Sequence, residues 1–285
     1  MSAYHDLSSL KFTTQTCREK KQRGEKISCL TAYDYAFARL FDESGIDILL
    51  AGDSLGMVAA GEESTLPVSM EQMIAATRAV RRGARRALVV ADMPFGSYQV
   101  SSERAIGNAV RLIKAGAEAV KLEGGASRAA LVSRLVGEEI PVMAHIGLTP
   151  QALHRMGGYR VQGQSDAAAR GLLRDARALE EAGAFAVVLE GMPREVAAQI
   201  TAAAAIPTIG IGAGPECDGQ VLVMHDLLGL VFRDAPKFVR RYADLGEAAR
   251  QAAEAFRQDV ETGEFPRDQE SYHFPVAATL GSRKG

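Results

Sequence analysis

EAGAFAVVLEGMPREVAAQI, residues 181–200, holds one repeating unit of the fold. Gly183 follows a helical stretch, where a residue free to take the left-handed backbone closes a helix. FAVVL (185–189) is a continuous apolar run, the pattern of a strand buried on both faces of a parallel sheet. Glu190 ends that run, and Pro193 stands where proline favours the first turn of the next helix.

The same helix–glycine–strand join recurs in ESGIDILL and KAGAEAV. Working outward, eight strands are expected: KISCLTAYD (26–34), IDILLAGD (46–53), ALVVADMP (87–94), AVKLEGG (119–125), IPVMAHIG (140–147), FAVVLEG (185–191), IPTIGIGAG (206–214) and QVLVMHD (220–226). Amphipathic helices lie between most of them, with Ser69 and either Ser101 or Ser102 as N-caps. About eight such strands in one undivided chain favour a single (β/α)8 barrel over an open sheet. Residues 1–24 read as an N-terminal helical extension and 266–285 as a C-terminal tail behind one or two polar-faced helices. LTPQALHRMGGYRVQGQS, after strand five, is long and non-periodic, as expected of a loop over the site. GPECDG leaves no room for a helix between strands seven and eight.

The 285 residues carry a formal net charge of −2, so no general attraction to nucleic acid or membrane is expected. Arg81, Arg82, Arg85 and Arg86 read as a solvated helix face. Three cysteines match no zinc spacing and cannot all pair, which suits a reduced, cytoplasmic protein. Neither a membrane span nor a secretory signal is expected.

Four apolar runs end in a carboxylate: Asp53, Asp92, Glu123 and Glu190. The carboxyl ends of barrel strands are where this architecture places its chemistry. Acids converging there repel each other unless a cation or a proton intervenes. For any one of them a cap or a structural ion pair is the alternative. Asp53 and Asp92 end successive strands and can share one ion; hard oxygen ligands favour Mg²⁺ or Mn²⁺ over Zn²⁺. Glu123 is a third ligand or holds a metal-bound water. Lys121 and Glu123 alternate with Val120 and Leu122 and so face one way, either toward a substrate anion or in a structural pair. His145 ends strand five, and His225 with Asp226 ends strand eight. Glu190, across the barrel, suits a general base acting beside a polarised carbonyl. Ser54 is a donor to a substrate carboxylate or a helix cap. GIGAG (210–214) matches neither phosphate-binding fingerprint and serves a sharp turn or a flat ligand equally well.

TAYDYAFARL, LLAGDSLGMV, STLPV, ADMPFGSYQ, VKLEGG, HIGLTPQ, GGYRVQG, VLEGMP, IPTIGIGAG and DGQVLVMHDLLG, in this order, closely resemble the ketopantoate hydroxymethyltransferase family. The resemblance implies a Mg²⁺-dependent barrel. It implies transfer of a one-carbon unit from 5,10-methylenetetrahydrofolate to 3-methyl-2-oxobutanoate, giving 2-dehydropantoate for pantothenate synthesis. By motif, Asp53 and Asp92 would bind metal with Glu123 completing or supporting the site. Asp53, Ser54, Asp92, Lys121 and, less directly, His145 would line the keto-acid site, and Glu190 would accept the proton. The resemblance also implies a homodecamer. Where the family often has a His–Asp pair before STLP, Glu62 and Glu63 stand here, and Ala75–Ala76 occupy a position where histidine is common. The rival group, the isocitrate lyase and phosphoenolpyruvate mutase lyases, uses a KKCGH-type loop that this sequence lacks. A barrel kept only as a scaffold would have lost a rim acid.

Overall fold

The computed structural model describes residues 11–232 and 234–273. Eight parallel strands close into a barrel in sequence order: β1 (Ile27–Thr31), β2 (Ile48–Ala51), β3 (Leu88–Asp92), β4 (Ala119–Glu123), β5 (Val142–Gly147), β6 (Ala186–Glu190), β7 (Thr208–Ile211) and β8 (Gly219–Leu222). β8 returns to β1 through the register Cys29 to Val221. All eight expected strands are present. No helix lies between β7 and β8, as the short GPECDG link requires.

Strand alternation divides the core in two. Ile48, Leu50, Leu88, Val90, Met143 and Val188 fill the barrel interior. Leu49, Val89, Val120, Leu122, Ala144 and Leu189 face the surrounding helices. The helix Met70–Gly83 starts in a capping box, Ser69 and Gln72 each satisfying the other's backbone N–H. Ser101, not Ser102, caps Ser102–Ala115 by accepting from Arg104 N–H. In the N-terminal extension, the helix Thr14–Gln22 joins the interior cluster through Cys17, with Phe12 just ahead of it. Lys20 and Lys21 pair with Asp47 at 2.8 Å and Asp218 at 2.7 Å, fixing that helix over the amino-terminal mouth. Residues 1–10 of the extension and 274–285 of the tail lie outside the described residues.

Two local expectations change. Gly83 ends its helix, so Arg85 and Arg86 are not on a helix face. Their backbone N–H groups donate to the buried carboxylate of Asp42 at 3.0 Å each, and the Arg86 guanidinium sits 3.5 Å from Asp47. Strand β8 stops at Leu222, which puts His225 and Asp226 in the short helix Met224–Leu228. Beyond that short helix, the stretch 236–265 forms one long helix, Leu245–Thr262, none of whose residues is buried. Among the described residues no helix is long and apolar enough to cross a membrane.

Candidate active site

Parallel register brings the charged rim together. Asp92 stands beside Lys121, Glu123 beside His145, and Gly147 beside Glu190. Because Val120 and Leu122 belong to the outer layer, Lys121 and Glu123 point into the barrel. The Lys121 Nζ donates to Asp92 Oδ1 at 2.6 Å, with both side chains almost fully buried. Asp53 lies just past β2; its backbone N–H donates to Asp92 Oδ2 at 3.0 Å.

The electrostatics of this rim are unbalanced. Burial, and then the facing charge of Asp92, push the Asp53 carboxyl up to about 7. Burial also raises Glu123 well above the usual carboxylate range, with Asp53 and Glu190 adding repulsion against the pull of Lys121. Burial alone would discharge Lys121, but Asp92, Glu123 and Asp53 outweigh it and hold the ammonium well above its ordinary value. Burial lowers His145, so its imidazole adds no dependable positive charge. Four carboxylates therefore face one ammonium.

That imbalance fits a divalent cation. Asp92 accepts the backbone N–H of Asp53, which brings the two acids together, and burial with the facing Asp92 charge raises the Asp53 carboxyl to about 7. Among the described residues, no group of three or more His, Cys, Asp or Glu side chains is clustered to cage a metal. An ion that leans on one or two carboxylates and completes its shell with water and ligand oxygens is Mg²⁺-like, not Zn²⁺-like. Of the Glu123 oxygens, Oε2 accepts from the Gln151 backbone N–H at 3.0 Å, while Oε1 lies 3.6 Å from His145 Nδ1 without a hydrogen bond to it.

Glu190 is the more accessible acid, its side chain 16% exposed against 4% for Asp92 and Glu123. His145 Nε2 lies 3.2 Å from Glu190 Oε2, out of line for a hydrogen bond. Ser54 occupies an N-cap position without making the cap bond. Its hydroxyl instead meets the Tyr33 hydroxyl at 2.9 Å, and Thr31 Oγ1 donates to Tyr33 at 2.7 Å. Ser54 is thus held at the wall and not spent on a helix.

All seven residues singled out from the sequence (Asp53, Ser54, Asp92, Lys121, Glu123, His145 and Glu190) line one cavity of about 590 Å³. Three further contributors carried no signal of their own. Gln151 donates its side-chain amide to Asp53 Oδ2 at 2.7 Å and to the Met93 carbonyl at 2.9 Å. Tyr98 donates to Gln151 Oε1 at 2.7 Å and so fixes the amide's orientation. Tyr33 holds Ser54. Only their places within the HIGLTPQ, ADMPFGSYQ and TAYD stretches hinted at them. His225, by contrast, turns its ring toward Tyr33, with centroids 5.6 Å apart.

A closed parallel barrel with buried acids, a lysine and a histidine gathered at the carboxyl ends of its strands is the architecture of a barrel enzyme. The family model described as ketopantoate hydroxymethyltransferase matches residues 11–268. The chain belongs to the ketopantoate hydroxymethyltransferase family and is a transferase. It is 58% identical over 269 residues to the 3-methyl-2-oxobutanoate hydroxymethyltransferase of Koribacter versatilis (strain Ellin345), covering 94% of this chain and 91% of that one. To the enzyme of the same name from Geotalea daltonii (strain DSM 22248 / JCM 15807 / FRC-32) it is 59% identical, covering 90% and 96%. Among solved structures, the barrel resembles a phosphonopyruvate hydrolase complexed with oxalate and Mg²⁺, with a TM-score of 0.58, 14% identity and coverage of 90% and 92%. A 2,3-dimethylmalate lyase of the PEP mutase/isocitrate lyase superfamily aligns with a TM-score of 0.57 at 18% identity, covering 91% of each chain. These two likenesses concern the fold.

Proposed function

We propose that this chain transfers a hydroxymethyl group from 5,10-methylenetetrahydrofolate to 3-methyl-2-oxobutanoate, giving 2-dehydropantoate for pantothenate synthesis. The observation that carries the reading is the division of the rim acids. Asp53 and Asp92 are tied together on the β2–β3 side, while Glu190 stands on β6, opposite β2 in the closed order.

Asp53 and Asp92 would hold Mg²⁺, with Glu123 completing or supporting the site. When bound, Mg²⁺ would polarise the substrate's carbonyl and lower the cost of the negative charge that develops there. Lys121 and the Ser54 hydroxyl hold the substrate anion, and Tyr33 fixes the Ser54 rotamer. Glu190 removes the proton from C3. His145, its imidazole held toward the neutral form by burial, lies 3.2 Å from the Glu190 carboxylate. The C3 carbanion forms the new carbon–carbon bond to the one-carbon unit; water supplies the hydroxyl oxygen and tetrahydrofolate leaves. The long β5–β6 loop, with Tyr159 and Gln162, shields the reacting carbon from water.

Residence in the cytoplasm and assembly into a homodecamer complete the proposal. The helix Leu245–Thr262, none of whose residues is buried and with Phe256 58% and Val260 50% exposed, supports contact between copies.

The test follows solvent-deuterium exchange at C3 of 3-methyl-2-oxobutanoate and formation of 2-dehydropantoate, each with and without Mg²⁺. Glu190→Gln is expected to lose exchange, by about 10²- to 10⁴-fold, while still binding Mg²⁺. Asp53→Asn combined with Asp92→Asn is expected to lose Mg²⁺ binding. Unchanged exchange in Glu190→Gln would move the base to His145, and no turnover by well-folded protein would sink the assignment.

A further inference from the structure

The cavity that holds the acids is larger than a small branched keto acid needs, and its two ends differ in chemistry. Its floor carries the four carboxylates and Lys121. Its outer wall is apolar and aromatic, with Met57, Leu148, Tyr159, Val161 and Phe238 on it. A volume of about 590 Å³ suits a ligand of drug size, with a flat body against apolar walls.

Two cations line that outer part, Arg160 from the β5–β6 loop and Lys237 from the segment after β8. Among the described residues, neither has a carboxylate within ion-pair distance, whereas Lys20, Lys21 and Lys121 are each paired. The neighbouring residues hold them in place. Phe238 covers Gly212 so closely that a Cβ there would lie 2.8 Å from the ring, which fixes the Lys237–Phe238 segment over β7. The Tyr159 hydroxyl reaches Met57 Sδ at 3.6 Å, and Gln162 donates to the Arg160 carbonyl at 2.8 Å. Two loops distant in sequence thus bring positive charge to one mouth above a negative floor.

We propose that the outer half of the cavity is the cosubstrate site, in which Arg160 and Lys237 bind the carboxylates of the glutamyl tail of the one-carbon carrier. The site rests on the folate reading above. A pteridine and its aminobenzoyl ring need apolar wall; the tail that follows carries carboxylates and needs cations at the exit. The division of the cavity matches: Asp53, Asp92, Glu123 and Lys121 are buried, whereas Tyr159, Phe238, Arg160 and Lys237 lie together at the exposed end. The keto acid also has a carboxylate, but Lys121 and Ser54 serve it at the floor.

The test uses Arg160→Gln, Lys237→Gln and the double variant, with Arg160→Lys as a charge-retaining control. Calorimetry measures binding of tetrahydropteroyl mono- and triglutamate, and deuterium exchange at C3 is followed without any folate. Each exposed ion pair lost is expected to weaken folate binding about three- to fivefold, more for the triglutamate, and more at low than at high salt. Exchange and the KM for the keto acid are expected to stay at the unmodified level, with Arg160→Lys close to the parent. Folate affinity unchanged in the double variant overturns the site alone, as does a rise confined to the keto-acid KM. Failure of the unmodified protein to bind any folate overturns the donor reading and this site together, while intact C3 exchange would keep the Glu190 half of the mechanism.

Discussion

The Gln151 side-chain amide donates to Asp53 at 2.7 Å across 98 positions of sequence, while its own backbone N–H donates to Glu123 at 3.0 Å. One residue at the start of the β5–β6 loop therefore sets the positions of two rim acids. Tyr98 takes up the amide oxygen, which leaves the Nε2 hydrogens pointing at Asp53 and Met93. Groups that orient a metal-binding carboxylate typically matter by ten- to a hundredfold in affinity. Gln151→Met keeps the bulk and the backbone contact but removes the donor. It is expected to weaken Mg²⁺ binding about tenfold in a calorimetric titration, with little change in the melting temperature of the Mg²⁺-loaded protein. Mg²⁺ affinity equal to that of the parent would remove Gln151 from this role.

The metal-free protein should be sensitive to pH in a direction that the rim dictates. Asp53 is raised from an ordinary 3.8 to about 7 by burial and by Asp92, and Glu123 moves the same way. Between these values the folded chain holds a proton that the unfolded chain has released. The stabilisation is complete below the unfolded value and is lost as pH rises through about 7. Melting temperatures in EDTA should therefore fall from about pH 5 to pH 8, by an amount worth a few kcal/mol at most. Mg²⁺ held at the proposed site would replace the proton, so the fall should shrink in its presence, and Mg²⁺ affinity should weaken as the pH drops below 7. A metal-free melting temperature that rises over this interval would contradict the electrostatic picture.

The barrel was legible because its code is local and repeated. A strand buried on both faces must be apolar throughout, so a charge at its end is conspicuous, as with Asp92, Glu123 and Glu190. Alternation was enough to turn Lys121 and Glu123 the same way. Gln151, Tyr98 and Tyr33 escaped because their roles depend on reach across folded distance. The Tyr98–Gln151 bond alone joins residues 53 apart. Helix ends failed for the same reason. Arg85 and Arg86 continue a helical pattern, but Asp42, 43 and 44 positions earlier, accepts their N–H groups and draws the chain out of the helix. QVLVMHD reads as a strand to its end because Met224 is as apolar as the strand before it. There the Met224 N–H leaves the ladder for Thr31 Oγ1 at 3.0 Å, and a helix begins.

Lys121 is the rim's ammonium, and its pair with Asp92 is almost fully buried. Removing one partner of such a pair leaves the other charge unpaid in a low-dielectric site, a loss of about 3 to 5 kcal/mol. Lys121→Met should be destabilised by that order in urea without metal, because Asp92 then faces Asp53 and Glu123 with no ammonium. Saturating Mg²⁺ should recover part of the loss, since a cation between Asp53 and Asp92 supplies the missing charge. The keto-acid KM should remain raised even then. Equal stability of the variant and the parent in the absence of metal would mean that the acids are already neutralised by protons.

Gly147 couples the backbone of β5 to the proposed base. Its φ of +94° is open to glycine, and a Cβ there would lie 2.2 Å from the Glu190 carbonyl oxygen and 2.8 Å from Met192 Cε. The next residue, Leu148, donates its N–H to that same Glu190 carbonyl at 2.8 Å, so the strand end has no slack. Gly147→Ala must push Glu190 away or break this bond. Gly24, also left-handed at φ +68° but with nothing within 4 Å, provides the control. Gly24→Ala should cost about 1 to 2 kcal/mol from backbone strain alone and leave C3 exchange per folded molecule unchanged. Gly147→Ala should cost more, and its exchange rate should drop at least tenfold after correction for the folded fraction, because a shift of about 1 Å at a reacting group is that expensive. Exchange at the parental rate in folded Gly147→Ala would show that the base does not depend on this strand end, and would shift attention to His145.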